Sequence, residues 1–121
     1  MLSIANNSDF NVAHGLYAIK FWATWCQPCK LFEPTVEKLD NEFKNIEFLS
    51  IDADQVPQIV KQFKVRSLPT ILVLSDGEEV ERISGMQLIE PLRVKMRELQ
   101  NKYAPEHSTI DIQNMSEAAV G

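Results

Sequence analysis

Apolar and polar residues alternate along this chain in nine short blocks. Apolar positions crowd into "LSIA" at 2–5 and "LYAIKFW" at 16–22, whose lengths and compositions predict a short strand and a buried one. Between them "NNSD" supplies caps for a brief helix. Phe32, Val36, Leu39 and Phe43 then recur at spacings of four, three and four, which sets them on one face of an amphipathic helix covering a sheet. Pro34 lies inside that pattern; it lacks a backbone donor and predicts a kink rather than a stop.

The pattern returns to strand in "IEFLSID" at 46–52, and Val56, Ile59, Val60 and Phe63 carry helical spacing through "VPQIVKQF". "TILVLSDGEEVERI" at 70–83 reads as two strands around Asp76-Gly77, residues suited to a hairpin turn that needs positive φ, so these strands pair antiparallel. Leu88, Leu92, Met96, Leu99 and Tyr103 mark a last helix, with Pro91 tolerated in its first turn. Strands separated by helices favour parallel pairing with right-handed crossovers, and the hairpin adds an antiparallel pair. The prediction is an α/β domain over 1–103, with a central mixed five-stranded sheet flanked by four helices. Residues 104–121 show no sustained period and are expected to form a mobile tail.

A chain of 121 residues with 45% hydrophobic content suffices for one core without structural disulfides. Its net charge of −5 repels polyanions, which argues against nucleic acid as a ligand. "MLSIANNSDF" has no basic region followed by an apolar stretch, and apolar runs such as "ILVL" are too short to cross a bilayer. The expectation is a soluble cytoplasmic protein, a monomer by default. Cellular thiols there keep static disulfides reduced, so a cysteine pair points to catalysis or metal binding.

The only two cysteines lie two residues apart in "FWATWCQPCK" at 21–30. With a strand ending at Trp22 and a helix starting near Cys26, the first cysteine falls at the helix N-cap, where free N–H groups and the dipole favour a thiolate. Cys29 lies one turn further on the same side. Cys26 is then the exposed nucleophile, and Cys29 is within reach to resolve a mixed disulfide. A thiol shifted from about 8.5 towards about 7 is substantially ionised and still a good nucleophile. Pro28 stiffens the turn at no cost in hydrogen bonds, and Gln27 tunes the poise. A zinc site would have to recruit His14 and His107, far from the usual second-pair spacing. Two inert core thiols are the remaining reading, against which the strand–turn–helix setting argues.

Together, "FWATWCQPCK", Pro34, "SLPT" at 67–70 and "SG" at 84–85 resemble the thioredoxin family over residues 2–103. The resemblance implies a thioredoxin fold and a cytoplasmic protein-disulfide reductase, with Cys26 attacking and Cys29 resolving. It implies no bound cofactor, a redox-active Cys26–Cys29 disulfide, disulfide-containing protein substrates, and recycling by a flavin-containing thioredoxin reductase that draws on NADPH. It further implies a cis Leu68-Pro69 bond beside the cysteines, freeing the Leu68 backbone for an extended substrate, and a shallow apolar groove formed by Trp25, Pro28, Leu68, Pro69, Gly85 and Met86. Trp22 is expected to be mainly structural.

Two positions depart from the family. Gln27 stands where glycine is usual, and it adds a side chain without charge. The retained Pro28 implies a potential nearer the about −270 mV of thioredoxins than the about −120 mV of strong oxidants. Lys20 stands where the family usually buries an aspartate thought to move the proton of the resolving cysteine. A charged Lys20 would favour the thiolate at Cys29 and a neutral one would accept its proton; alternatively its stem lies in the core while its head reaches water or a carboxylate. An oxidase or isomerase of the same fold, and a binding module with redox chemistry secondary, are the competing functions.

Overall fold

The structure, a computed structural model, describes residues 1–105. Its elements are β1 (Leu2–Ile4), a 3-10 turn (Asn7–Asp9), β2 (Leu16–Trp22), α1 (Gln27–Glu42), β3 (Glu47–Asp52), α2 (Pro57–Gln62), β4 (Thr70–Ser75), β5 (Glu78–Ser84) and α3 (Ile89–Tyr103). Of the tail predicted over 104–121, Ala104 packs against the core, and residues 106–121, with His107, lie outside the described residues.

Two predictions need correction. Instead of four helices, the described residues form three α-helices, and the brief helix after β1 is a single 3-10 turn capped by Asn6, whose Oδ1 accepts from the Asp9 N–H at 3.2 Å. The "NNSD" run has caps but no apolar face, so nothing extends it. The second correction concerns β4, which follows a helix yet pairs antiparallel with β2. The strand order is β1-β3-β2-β4-β5, parallel across β1, β3 and β2 and antiparallel from β2 through β5. Helix α2 is only six residues long. The chain leaving β3 therefore re-enters the sheet at the same end, running the other way.

Strand period 2 divides the core in two. Leu16 and Ala18 face α1 and α3, packing with Phe32, Val36, Leu39, Leu92 and Met96. Ile19 and Phe21 face the opposite side, with Ile51, Val56, Ile59 and Leu72. Helix α1 runs unbroken through Pro34, and the predicted residues Phe32, Val36 and Leu39 form its buried face.

Arg93 ties α3 to the end of α1. Its Nε and Nη2 donate to the two Glu42 carboxylate oxygens at 2.7 and 2.8 Å. The hydrogen bond from Arg93 holds the Glu42 carboxyl below its ordinary value of 4.5. A carboxyl lowered by folding contributes stability that is present above its unfolded value and lost as pH falls through the folded one. Glu42→Gln is accordingly expected to lower Tm most near neutrality, with the gap to the parent narrowing as pH falls below the ordinary carboxyl value of 4.5. Thermal melts from neutral to acid pH measure it.

Candidate functional site

The sheet register gathers the site at one end of the molecule. Trp22, the last residue of β2, is level with Asp52 at the end of β3; Phe21 is level with Thr70 at the start of β4; and Thr70 is level with Ser84 at the end of β5. Four connections, 23–26, 53–56, 63–69 and 85–88, therefore emerge side by side.

In the first of them the Cys26 N–H donates to the Ala23 C=O at 3.1 Å, closing a turn that delivers Cys26 to the N-cap of α1. Its Sγ accepts from the Cys29 N–H at 3.3 Å. Pro28 occupies the first helical turn, where a missing donor is harmless. Cys26 and Cys29 are joined by a disulfide, with their Cα atoms 5.3 Å apart.

Cys26 is less exposed than its expected nucleophilic role implies. It is 5% accessible, against 2% for Cys29. Bonded to Cys29, its sulfur packs among Ala23, Trp22 and Leu68. Cys26 is thus slightly the more exposed residue of the two.

Around the pair, Gln27 and Pro28 are exposed, and Trp25 stands 69% exposed. The Trp25 Nε1–H donates to Asp54 Oδ2 at 2.9 Å, which fixes the ring over the connection after β3. Leu68-Pro69 is cis, with Pro69 buried and Leu68 half-buried. Thr70 Oγ1 donates to the Ser67 C=O at 2.7 Å, and the Gly85 N–H donates to the Pro69 C=O at 2.8 Å, so the loops before β4 and after β5 are stitched together. Gly85 adopts φ +86°, a conformation L side chains rarely take. Met86 beside it is 44% exposed. Trp25, Leu68 and Met86 thus form a discontinuous apolar rim around the disulfide. Trp22 packs beneath it.

Lys20 is enclosed, at 2% exposure, on the α1 side of β2. Its ammonium donates to Glu33 Oε1 at 2.9 Å, so of the alternatives open for its head it finds a carboxylate. That hydrogen bond, the largest influence, holds the Glu33 carboxyl below 4.5 against the opposing effect of its partial burial. Asp54 and Glu33 are absent from the sequence reading. Glu33 carried a usable signal, standing four residues after Cys29 and so on the same helix side. Asp54 carried none, because its tie to Trp25 joins separate loops. No group of His, Cys, Asp and Glu among the described residues is arranged to hold a metal ion.

A reversible cysteine pair at a helix start, rimmed by apolar side chains at the end of a mixed sheet, defines a thiol–disulfide oxidoreductase of thioredoxin fold. The Thioredoxin family model matches residues 3–98. Thioredoxin from Staphylococcus haemolyticus is 39% identical over 88 residues, covering 72% of this chain and 85% of its own length. Thioredoxin from Chlamydia trachomatis is 37% identical over 89 residues, covering 72% and 87%. The crystal structure of Fasciola hepatica thioredoxin superposes with a TM-score of 0.71 at 32% identity, over 85% of this chain and 99% of that one. The chain belongs to the thioredoxin family, and it is a protein-disulfide reductase working by dithiol–disulfide exchange. Neither the oxidase or isomerase nor the binding-module alternative is favoured by these relatives.

Proposed function

We infer that Cys26 is the attacking thiol, Cys29 the resolving thiol, and Trp25, Leu68, Pro69, Gly85 and Met86 the surface that receives an extended segment of the substrate protein. In the reduced state the Cys26 thiolate attacks one sulfur of a substrate disulfide. A Cys26–substrate disulfide forms, and the other substrate sulfur leaves as a thiolate. Cys29 loses its proton and attacks Cys26 Sγ, closing the internal disulfide and expelling the second substrate thiolate. Two electrons pass to the substrate, and the departing thiolates take up protons from Cys29 and solvent. A thioredoxin reductase returns the electrons, ultimately from NADPH. The chain itself holds no cofactor and acts as a monomer in the cytoplasm. No helix among the described residues is long and apolar enough to cross a membrane.

The observation that carries this reading is the position of Cys26 at the N-cap of α1. There the unpaired N–H groups and dipole end support a thiolate, and Cys29 lies one turn behind. The backbone N–H and C=O of Leu68 have no hydrogen-bond partner among the described residues, leaving both for an extended chain. Reduction of insulin disulfides, first with dithiothreitol and then with thioredoxin reductase and NADPH as electron source, tests the function. Acceleration in both arms supports it, and failure of the second arm alone removes the proposed partner.

The rim makes a separable prediction. Trp25→Ala is expected to raise KM for protein disulfides about tenfold, in the range of one exposed aromatic anchor. Reduction of a small aromatic disulfide, which needs no groove, is expected to change by less than about threefold. Paired kinetics on the two substrates check it.

A further inference from the structure

Lys20 is the one charged side chain that the core encloses among the described residues. It stands two residues before Trp22 on β2 and so projects to the same face, with its ammonium 6.0 Å from the centre of the Trp22 ring. Trp22 in turn packs on Cys26 and Cys29. Glu33 approaches from the other direction, one turn beyond Cys29 on the same side of α1. The ion pair is thus linked to Cys29 twice, through an indole ring and through one helical turn.

The two charges differ in their access to water. The Lys20 side chain is 2% exposed and that of Glu33 is 47% exposed. The carboxylate lines an open pocket of about 240 Å³ with Ser3, Glu37, Asp40 and Ser50. Around the pair stand Lys30, Glu37 and Asp40 on α1, the Met1 ammonium bonded to Asp40 at 2.8 Å in the same pocket, Asp52 at the end of β3, Asp54 after it, and Arg66 before Leu68; none of these residues is buried as Lys20 is. An enclosed ammonium is poorly screened and stabilises a thiolate nearby. A carboxylate bonded to it cancels most of that field.

We propose that Glu33 is a positioning residue for the redox reaction: by neutralising Lys20 it keeps Cys29 protonated in the reduced protein and so keeps the dithiol strongly reducing. The proposal rests on Cys26 and Cys29 being a reversible redox pair. Stabilising a thiolate stabilises the reduced state and makes the couple more oxidising. The balance between Lys20 and Glu33 therefore sets the equilibrium without either group touching substrate.

The test uses the full chain as parent, Glu33→Gln, Lys20→Met and the double variant. Each is equilibrated with glutathione buffers at pH values that run from neutral to alkaline across the Cys29 titration, where shifts in either direction register in the equilibrium, and thiolate absorbance of the reduced form is followed against pH. Glu33→Gln is expected to lower the Cys29 titration and move the equilibrium about tenfold toward the dithiol, about 30 mV less reducing. Lys20→Met is expected to move it the opposite way by a smaller factor, because the carboxylate left behind reaches water. The double variant is expected to return to within about twofold of the parent. A Glu33→Gln shift below twofold, or two single variants moving in the same direction, overturns the proposal. Where Glu33→Gln does not fold, Lys20→Met against the double variant decides: a shift that the second substitution cancels supports the proposal, and no shift in either overturns it. A parent that never equilibrates with glutathione overturns the redox reading together with this one, whereas an equilibrating parent with unmoved variants overturns this one alone.

Discussion

Cys26→Ser is expected to bring insulin reduction down to the uncatalysed background, a fall of at least about 10³-fold and a modest share of what enzymes typically supply. A serine hydroxyl at the N-cap of α1 keeps the cap but carries no ionised nucleophile at neutral pH, and the one cysteine left, Cys29, is 2% exposed and enclosed a turn into α1, out of reach of a protein disulfide. Cys29→Ser separates the two steps. The Cys26 thiolate still attacks, but nothing resolves the intermediate, so each molecule reacts once and stays bonded to its substrate. The expected result is a stoichiometric burst without turnover and a dithiothreitol-sensitive adduct, read by intact mass. Steady turnover in Cys29→Ser would remove the resolving role; retained activity in Cys26→Ser would remove the mechanism altogether.

The largest effect on stability is expected from Phe32→Ala, at about 3–5 kcal/mol. Phe32 is 1% exposed and sits where α1 meets the sheet, among Ala18, Val36, Ile71 and Met96. Truncation there removes apolar contact and leaves a cavity under the first turns of α1, which a packed sheet fills only in part. The loss is a large share of the roughly 5–15 kcal/mol typical of a domain. Urea unfolding with an unchanged m-value and a lowered midpoint measures it. Because Phe32 follows Cys29 by three residues, the same truncation loosens the helical turn that holds the disulfide. A loss below about 1 kcal/mol would show that α1 is held chiefly by its ends, through Arg93 and Glu42.

Much of the molecule was legible before any coordinates. β2 occupies Leu16–Trp22, the span of the apolar run, and the turn at Asp76-Gly77 joins β4 to β5, with φ of +48° and +87° at its two residues. Both are local matters of side-chain period and of turn residues that tolerate positive φ. The Cys26 N-cap was legible for the same reason: an apolar strand, a short loop and a proline near the start of an amphipathic stretch leave little choice of where the helix begins.

The features hidden from the sequence are of another kind. The antiparallel course of β4 depends on where the chain re-enters the sheet after α2, and strand alternation looks the same in either direction. The burial of Cys26 depends on the approach of Leu68, contributed by a loop some forty residues away in sequence. Lys20 was recognisable as an anomaly in a buried strand, but Glu33 could be named as its partner only once α1 lay across β2 at a particular rotation.

By itself, then, the sequence determined the elements, the helix start that carries the cysteines, the spacing that lets them bond, and the family. Those properties arise within a few turns or strand residues, where period, capping and chain stiffness decide. Tertiary structure alone decided which loops meet the disulfide, how far Cys26 is covered, that Asp54 steadies Trp25, and that a carboxylate on α1 neutralises the enclosed Lys20. Each of these is a meeting of segments distant in the chain, fixed by sheet order, register and the docking angle of a helix, and no local pattern encodes it.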